Sequence, residues 1–416
     1  MLPLGFASGL PLALTSGTLQ AWLTVAEVDI RTIGLFTLAG LPYTLKFLWA
    51  PLVDRFAPPW LGRRRGWIAV FQMALIGGIA VMAAGGPSET ADGAEGQWAW
   101  TGLWLFGLSA LCVAFLSASQ DIAFDAYRSD LLKPQERGFG AAVSVTGYRL
   151  AMLVSGAGAL IVAERIGWQE TYLCLAGLMA VGIVTLVLSP DPTEAPPPPR
   201  DLRQAVWGPV REFFSAHPAG AGLLALIVLY KLGDAFAGAL TTAFLIRGLG
   251  FTPTDVGIVN KGMGLAATIA GALFGGALMA KLGLFRSLLT FGLLQALSNF
   301  GFLALVWVGH HYPAMVAAVA VENLAGGMGT AAFVALLMSL CDPRYSATQF
   351  ATLSALAAVG RVFVGPVSGL AVDAIGWGPF FALTVLVACP GLWLLWLMRA
   401  SIERPPAVSR EGNEGN

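Results

Sequence analysis

Long apolar runs and short polar breaks alternate from one end of the chain to the other. Runs of about 20 apolar residues are long enough for an α-helix to cross the hydrocarbon core of a bilayer. They occur at 3–24, 32–53, 67–85, 98–127, 138–163, 170–189, 219–246, 255–280, 287–308, 314–340, 349–372 and 378–398. The pattern predicts twelve spanning helices, spans 1 to 12. The longest break, SPDPTEAPPPPRDLRQAVWGPVREFFSAHP, lies at 189–218 between spans 6 and 7. Its proline run favours an extended spacer, and 201–214 has the makings of a short amphipathic helix on the membrane surface. The chain thus divides into a six-helix half at 1–189, a linker at 190–218, a second six-helix half at 219–398 and a polar tail at 399–416.

Composition agrees with this reading. Hydrophobic residues make up 56% and charged residues 12%, and the mean hydropathy is +0.73. A soluble domain carries about 25% charged residues, so the chain is an all-α polytopic membrane protein. The loops after the even-numbered spans, with the tail, hold sixteen Lys and Arg; the opposite loops hold only Arg31, Arg165 and Arg247. The positive-inside rule then places both termini in the cytoplasm. Net charge is zero, and no nucleic-acid partner is expected. The four cysteines (Cys112, Cys174, Cys341 and Cys389) have no metal spacing and are expected to fill space rather than pair. No Lys or Arg precedes Arg31, which is odd for a first span and points to a cytoplasmic leader upstream of this start.

The two halves echo each other. LLKPQERGFGAAVSVTGYRLAMLVSG (131–156) resembles LCDPRYSATQFATLSALAAVGRVFVGPVSG (340–369): each has a Pro-containing turn, a helix with one buried arginine (Arg149, Arg361), then Ser-Gly. LGFASGL in span 1 likewise resembles LGDAFAG in span 7. Parallel repetition of two six-span halves about a central cytoplasmic loop describes the major facilitator architecture. Gly5-xxx-Gly9 and Gly271-xxx-Gly275 suit close helix approach. The loop APLVDRFAPPWLGRRRGW (50–67) resembles the superfamily's signature loop, with Ala50 in place of the first glycine and five extra residues inserted. That resemblance implies a conformational latch made by Asp54, Arg55, Arg63 and Arg64. The plain alternative is a positive-inside cluster.

Charges retained inside a membrane usually face a water-filled cavity or a partner. In the first half the buried polar set is Gln20, Lys46, Gln120, Asp121, Asp125 and Arg149. In the second it is Lys231, Asp234, Asn260, Lys261, Glu322, Asn323 and Arg361. At 1.5 Å per residue, Lys46, Asp121 and Arg149 fall at one depth and are expected to meet. Burial disfavours the charged form of a carboxyl and cationic neighbours favour it, so a balanced group changes protonation when its surroundings change. Asp121 is therefore the leading proton-coupling candidate, ahead of Asp125, Asp234 and Glu322. The alternative is structural ion pairing, which suits Asp125 with Arg128 near the interface. Neither a P-loop, a nucleophile triad nor a histidine inside a span is present. The chain is read as a non-enzyme that needs no cofactor and is driven by a gradient.

Longer strings carry a more specific resemblance. GFASGLPLALTSGTLQAWL (5–23), FLWAPLVDR (47–55), SASQDIAFDA (117–126), YKLGDAFAGALTTAFLIRG (230–248) and SATQFATLSALAAVGRVFVGP (346–366) closely resemble the AmpG muropeptide permeases. The resemblance implies a proton symporter of the bacterial inner membrane. It would import N-acetylglucosaminyl-1,6-anhydro-N-acetylmuramyl peptides for peptidoglycan recycling and, where the system exists, supply the signal for β-lactamase induction. Such a substrate suits the cations Lys46, Arg149, Lys231, Lys261 and Arg361, and the amides Gln20, Gln120, Asn260 and Asn323, with Trp22, Tyr43 and Tyr148 available to stack on sugars. A monomer is expected, and spans 1, 4, 7 and 10 are expected to line the cavity, with Gln120, Asp234 and Asn323 facing it. Family members often have a cytoplasmic leader and two further C-terminal spans, which this sequence does not show. The alternative is a major facilitator carrier of another bulky anion such as acetyl-coenzyme A; a sensor would need an output domain.

Overall fold

The computed structural model describes residues 1–56, 58, 61–87, 100–132, 137–190, 213–215, 217–341 and 346–403. Among these residues the secondary structure is helical throughout. Eleven helices are long and apolar enough to cross a membrane: Leu2–Val25, Arg64–Gly85, Gly102–Arg128, Val143–Ile166, Trp168–Leu188, Gly220–Gly248, Pro253–Leu282, Leu284–Val308, Tyr312–Ser339, Thr352–Ile375 and Trp377–Leu397. They correspond to spans 1 and 3 to 12. The outer surface is studded with exposed apolar side chains such as Trp104, Leu188, Leu273, Trp307 and Trp393, as expected of helices solvated by lipid.

Span 2 departs from expectation. In place of one helix over 32–53 it is a chain of short pieces, Ile30–Phe36, Thr37–Gly40, Leu41–Leu45, Lys46–Leu48 and Ala50–Arg55. Pro42 and Pro51 each start one of these pieces. Proline has no N–H to give to the preceding turn, so each opens a new segment. Spans 1 and 7 are interrupted as well, at Thr15–Ser16 and at Lys231 and Leu240. Single turns of π-helix occur in span 5 (Val154–Gly158), at the end of span 7 (Phe244–Gly248) and in span 8 (Gly257–Met263).

Small residues set the helix packing. A Cβ on Gly9 would sit 2.6 Å from the Tyr148 carbonyl oxygen, and one on Gly5 would strike the Ser144 backbone, so span 1 lies directly on span 5. In the second half Gly271 and Gly275 press on Leu324 and Met328, so span 8 lies on span 10. Both glycine pairs singled out in the sequence thus sit at backbone-to-backbone crossings.

The halves meet mainly from mid-membrane to the end opposite the basic loops. There span 11 packs on the first pieces of span 2, and the π turns of spans 5 and 8 touch. Among the described residues no comparable packing joins the halves toward the basic end. The proline run and most of the 201–214 segment lie outside the described residues, as do the last thirteen residues of the tail.

Candidate functional site

A cavity of about 630 Å³ opens between the two halves. Helix irregularities line it. The break in span 1 presents Thr15, Ser16, Gly17 and Gln20, and the pieces of span 2 present Thr37, Gly40, Tyr43 and Thr44. From the other half, the broken span 7 contributes Asp234, Thr241 and Thr242, and the π turn of span 8 contributes Asn260 and Lys261. Spans 10 and 11 add Glu322, Asn323 and Arg361. An interrupted helix leaves backbone groups unpaired and turns side chains off the regular face. Such irregular backbone is tolerated within a membrane where protein buries it or it borders water.

Several polar side chains are bound in place. Gln20 Nε2 donates to the Ala239 carbonyl at 2.6 Å across the halves. Lys261 donates to Thr242 Oγ1 at 2.9 Å and lies over Gly17, where a Cβ would meet its Nζ at 2.8 Å. Asn323 Nδ2 donates to Glu322 at 2.7 Å while its Oδ1 accepts from Thr268 at 3.0 Å. Behind this wall Lys231 is 3.6 Å from Asp234 and donates to Thr330 at 3.0 Å. Among the described residues no three His, Cys, Asp or Glu side chains gather to hold a metal.

The first-half candidates split. Asp121 accepts a short hydrogen bond from Ser8 Oγ and lies within electrostatic range of Lys46, Tyr43, Tyr148 and Asp125. It does not line the cavity, whereas Tyr43, within its electrostatic range, does. Arg149 is exposed and has no carboxylate partner among the described residues, so the expected Lys46–Asp121–Arg149 cluster forms without its arginine. Gln120 is 1% exposed and its Oε1 is unpaired; it faces packed helices rather than the cavity, whereas Asp234 and Asn323 face the cavity as expected. Asp125 is bonded to Arg128 at 3.0 Å at an exposed position, as the structural alternative requires. Trp22 is fully buried against Phe106, Trp168 and Tyr172, and Tyr148 is absent from the wall, leaving Tyr43 as the cavity aromatic of the three.

Four contacts escaped sequence reasoning. Arg64 pairs with Asp130 at 2.7 Å, with both side chains at most 10% exposed, tying the start of span 3 to the end of span 4. The side chains of Asp54, Arg55 and Arg63 lie outside the described residues. At the opposite end, Arg31 binds Asp373 through Nε at 2.8 Å, and this hydrogen bond raises the guanidinium further above its ordinary value. Arg247 donates from both Nη atoms, at 2.8 Å each, to the Thr24 and Val28 carbonyls that end span 1. Glu164 accepts from the Thr254 backbone N–H at 2.8 Å. The last three join the halves. Their signal was present in the sequence: Arg31 and Arg247 are two of the three basic residues on the charge-poor side. All four cysteines are unpaired, and Cys112, Cys174 and Cys389 are exposed on the surface rather than filling space.

Comparison with known proteins places this geometry among transporters. The Major Facilitator Superfamily model matches residues 1–308 and 223–415. An anhydromuropeptide permease of Escherichia coli (strain K12) is 55% identical over 404 residues, spanning 97% of this chain and 80% of that protein. A protein of Rickettsia felis named putative transporter AmpG 4 is 34% identical over 413 residues, spanning 96% of this chain and 95% of that one. Among solved structures, a bacterial homolog of the human lysosomal transporter Spinster superposes with a TM-score of 0.71 at 14% identity, over 96% of this chain and 95% of that one. A D-xylose–proton symporter gives 0.69 at 12% identity, over 95% of each chain.

Proposed function

This chain belongs to the anhydromuropeptide permease family of the Major Facilitator Superfamily, and from that membership we propose that it carries anhydro-muropeptides across the bacterial inner membrane into the cytoplasm. The observation that carries the reading is the 55% identity over 97% of the chain, joined to a cavity of suitable chemistry. A volume of about 630 Å³ lies within the range of about 300–1,000 Å³ of small-molecule sites. Its hydroxyls, amides and charges match a ligand rich in hydroxyl, acetamido and carboxylate groups.

Transport then proceeds by rocking the halves about the cavity. With the basic loops cytoplasmic, the end sealed by Arg31–Asp373, Arg247 and Glu164 faces the periplasm, which makes this the cytoplasm-facing arrangement. The proton gradient supplies the drive, and Asp121 is the coupling acid. Its charge acts on Lys46 and on Tyr43 at the cavity wall, so a change in its protonation is felt where substrate binds. Uptake into vesicles reconstituted with the purified chain tests the reading. Labelled anhydro-disaccharide tripeptide should accumulate above equilibrium under an inward proton gradient, and a protonophore should abolish this. Accumulation of coenzyme A thioesters in place of the muropeptide would overturn it.

A further inference from the structure

Charge is unevenly distributed round the cavity. Its carboxylates and cations, Asp234, Lys261, Glu322 and Arg361, all come from the second half. Spans 1 and 2 contribute hydroxyls from Thr15, Ser16, Thr37 and Thr44, the Gln20 amide and the Tyr43 ring. One wall is neutral and hydrogen-bonding; the facing wall is charged.

Within the charged wall, most groups are already occupied. Asp234 has Lys231 at 3.6 Å. Glu322 accepts from Asn323, and Lys261 lies within electrostatic range of it while donating to Thr242. Arg361 differs: it is exposed to the cavity and has no carboxylate partner among the described residues. With Lys231 included, three cations face two carboxylates, and the excess positive charge belongs to Arg361.

An anhydro-muropeptide has the same polarity. Its disaccharide is neutral, with hydroxyl and acetamido groups and pyranose faces that suit hydroxyls, an amide and one aromatic ring. Its lactyl group is joined to the peptide as an amide, so its free carboxylates lie on the peptide. A guanidinium meets a carboxylate through two parallel N–H···O bonds.

We propose that the two halves divide the substrate between them: the neutral wall of spans 1 and 2 holds the disaccharide, and Arg361 on span 11 holds a peptide carboxylate. Arg361 is then the residue that distinguishes a peptide acid from its amide. Each half then grips a different part of one ligand. The inference rests on the muropeptide reading of the cavity.

The test pairs variants with substrate analogues in vesicles containing the full chain. The probes are labelled anhydro-disaccharide tripeptide and the same compound with its peptide carboxylates converted to carboxamides. Wild type should take up the acid better than the amide by about tenfold, the worth of one charge-assisted pair. Arg361→Gln should bring the ratio of acid to amide uptake down from about ten to about one. Arg361→Lys keeps the charge without the fork and should show an intermediate preference, which guards against a glutamine variant that fails to fold. Gln20→Ala should lower both substrates by the same factor. Equal uptake of acid and amide by wild type, an equal loss of both in the Arg361 variants, or loss of the preference in Gln20→Ala would each overturn the division. Failure of wild type to take up either compound would instead remove the muropeptide reading on which it stands.

Discussion

Gly34→Ala should push the transporter out of the arrangement described here, and the size of the push follows from the seam between spans 2 and 11. A Cβ on Gly34 would lie 2.6 Å from the Gly365 carbonyl oxygen and 3.2 Å from Gly369 Cα. A Cβ on Gly369 would lie 2.8 Å from the Ile30 carbonyl oxygen. These neighbours are backbone atoms, which cannot rotate aside. The methyl must separate the two helices by a fraction of an ångström, and overpacking of this kind costs about 1–3 kcal/mol. Only the arrangement in which these spans touch bears that cost. The equilibrium should therefore move about 5- to 150-fold toward the alternative arrangement.

Spin labels at Arg165 and Tyr312, exposed at the sealed end on opposite halves, report the distance across it once the four native cysteines are replaced. Wild type should give one dominant distance, and Gly34→Ala should add a longer component. Gly271→Ala is the control: its methyl would strike Leu324, within one half, so it should lower the melting temperature without changing the distance. A folded Gly34→Ala protein with the wild-type distance distribution would refute the reasoning.

Asp121 and the Arg64–Asp130 pair offer two further tests in the first half. Asp121→Asn should abolish proton-driven accumulation while retaining counterflow exchange, since the amide mimics the protonated acid and can still accept from Ser8; accumulation against the substrate gradient in this variant would move the proton site to Glu322 or Asp234. Asp130→Leu breaks a buried ion pair and should lower the melting temperature, and a double-variant cycle with Arg64→Leu should show a coupling energy between the two side chains. Additive losses in that cycle would show that the pair acts as two independent side chains.

Position along a helix axis was legible in the sequence; direction around it was not. Apolar length located eleven spans, and depth at 1.5 Å per residue put Asp121, Lys46 and Arg149 on one level. Successive side chains of a helix point about 100° apart, however, and which way each faces depends on neighbours distant in the chain. Arg149 is accordingly exposed, without a carboxylate partner among the described residues, and Gln120 is buried outside the cavity. The interruptions were written more openly: Pro42 and Pro51 mark the pieces of span 2, yet a window of average hydropathy reads through them. The contacts that seal one end join residues up to 342 positions apart, which no local pattern records.

Span 2 brings these features onto one element. Its first piece carries Gly34 into the seam against span 11; its middle carries Thr37, Gly40, Tyr43 and Thr44 into the cavity; its later part carries Lys46 to Asp121. A continuous helix would move these three sites as one body. The breaks at Gly40–Pro42 and Leu45–Lys46 leave joints between them, so a shift at Lys46 need not be carried unchanged to Gly34. That division matters because the charges of the cavity lie on the opposite half, while Asp121 lies outside the cavity. A proton on Asp121, the proposed coupling acid, would therefore not occupy the space of the substrate, and both could be bound together, as co-transport requires. The proposed link between them is Tyr43, which lines the cavity and lies within electrostatic range of Asp121. With Asp121 as the proposed coupling acid, coupling would run along span 2, which is built of five short pieces.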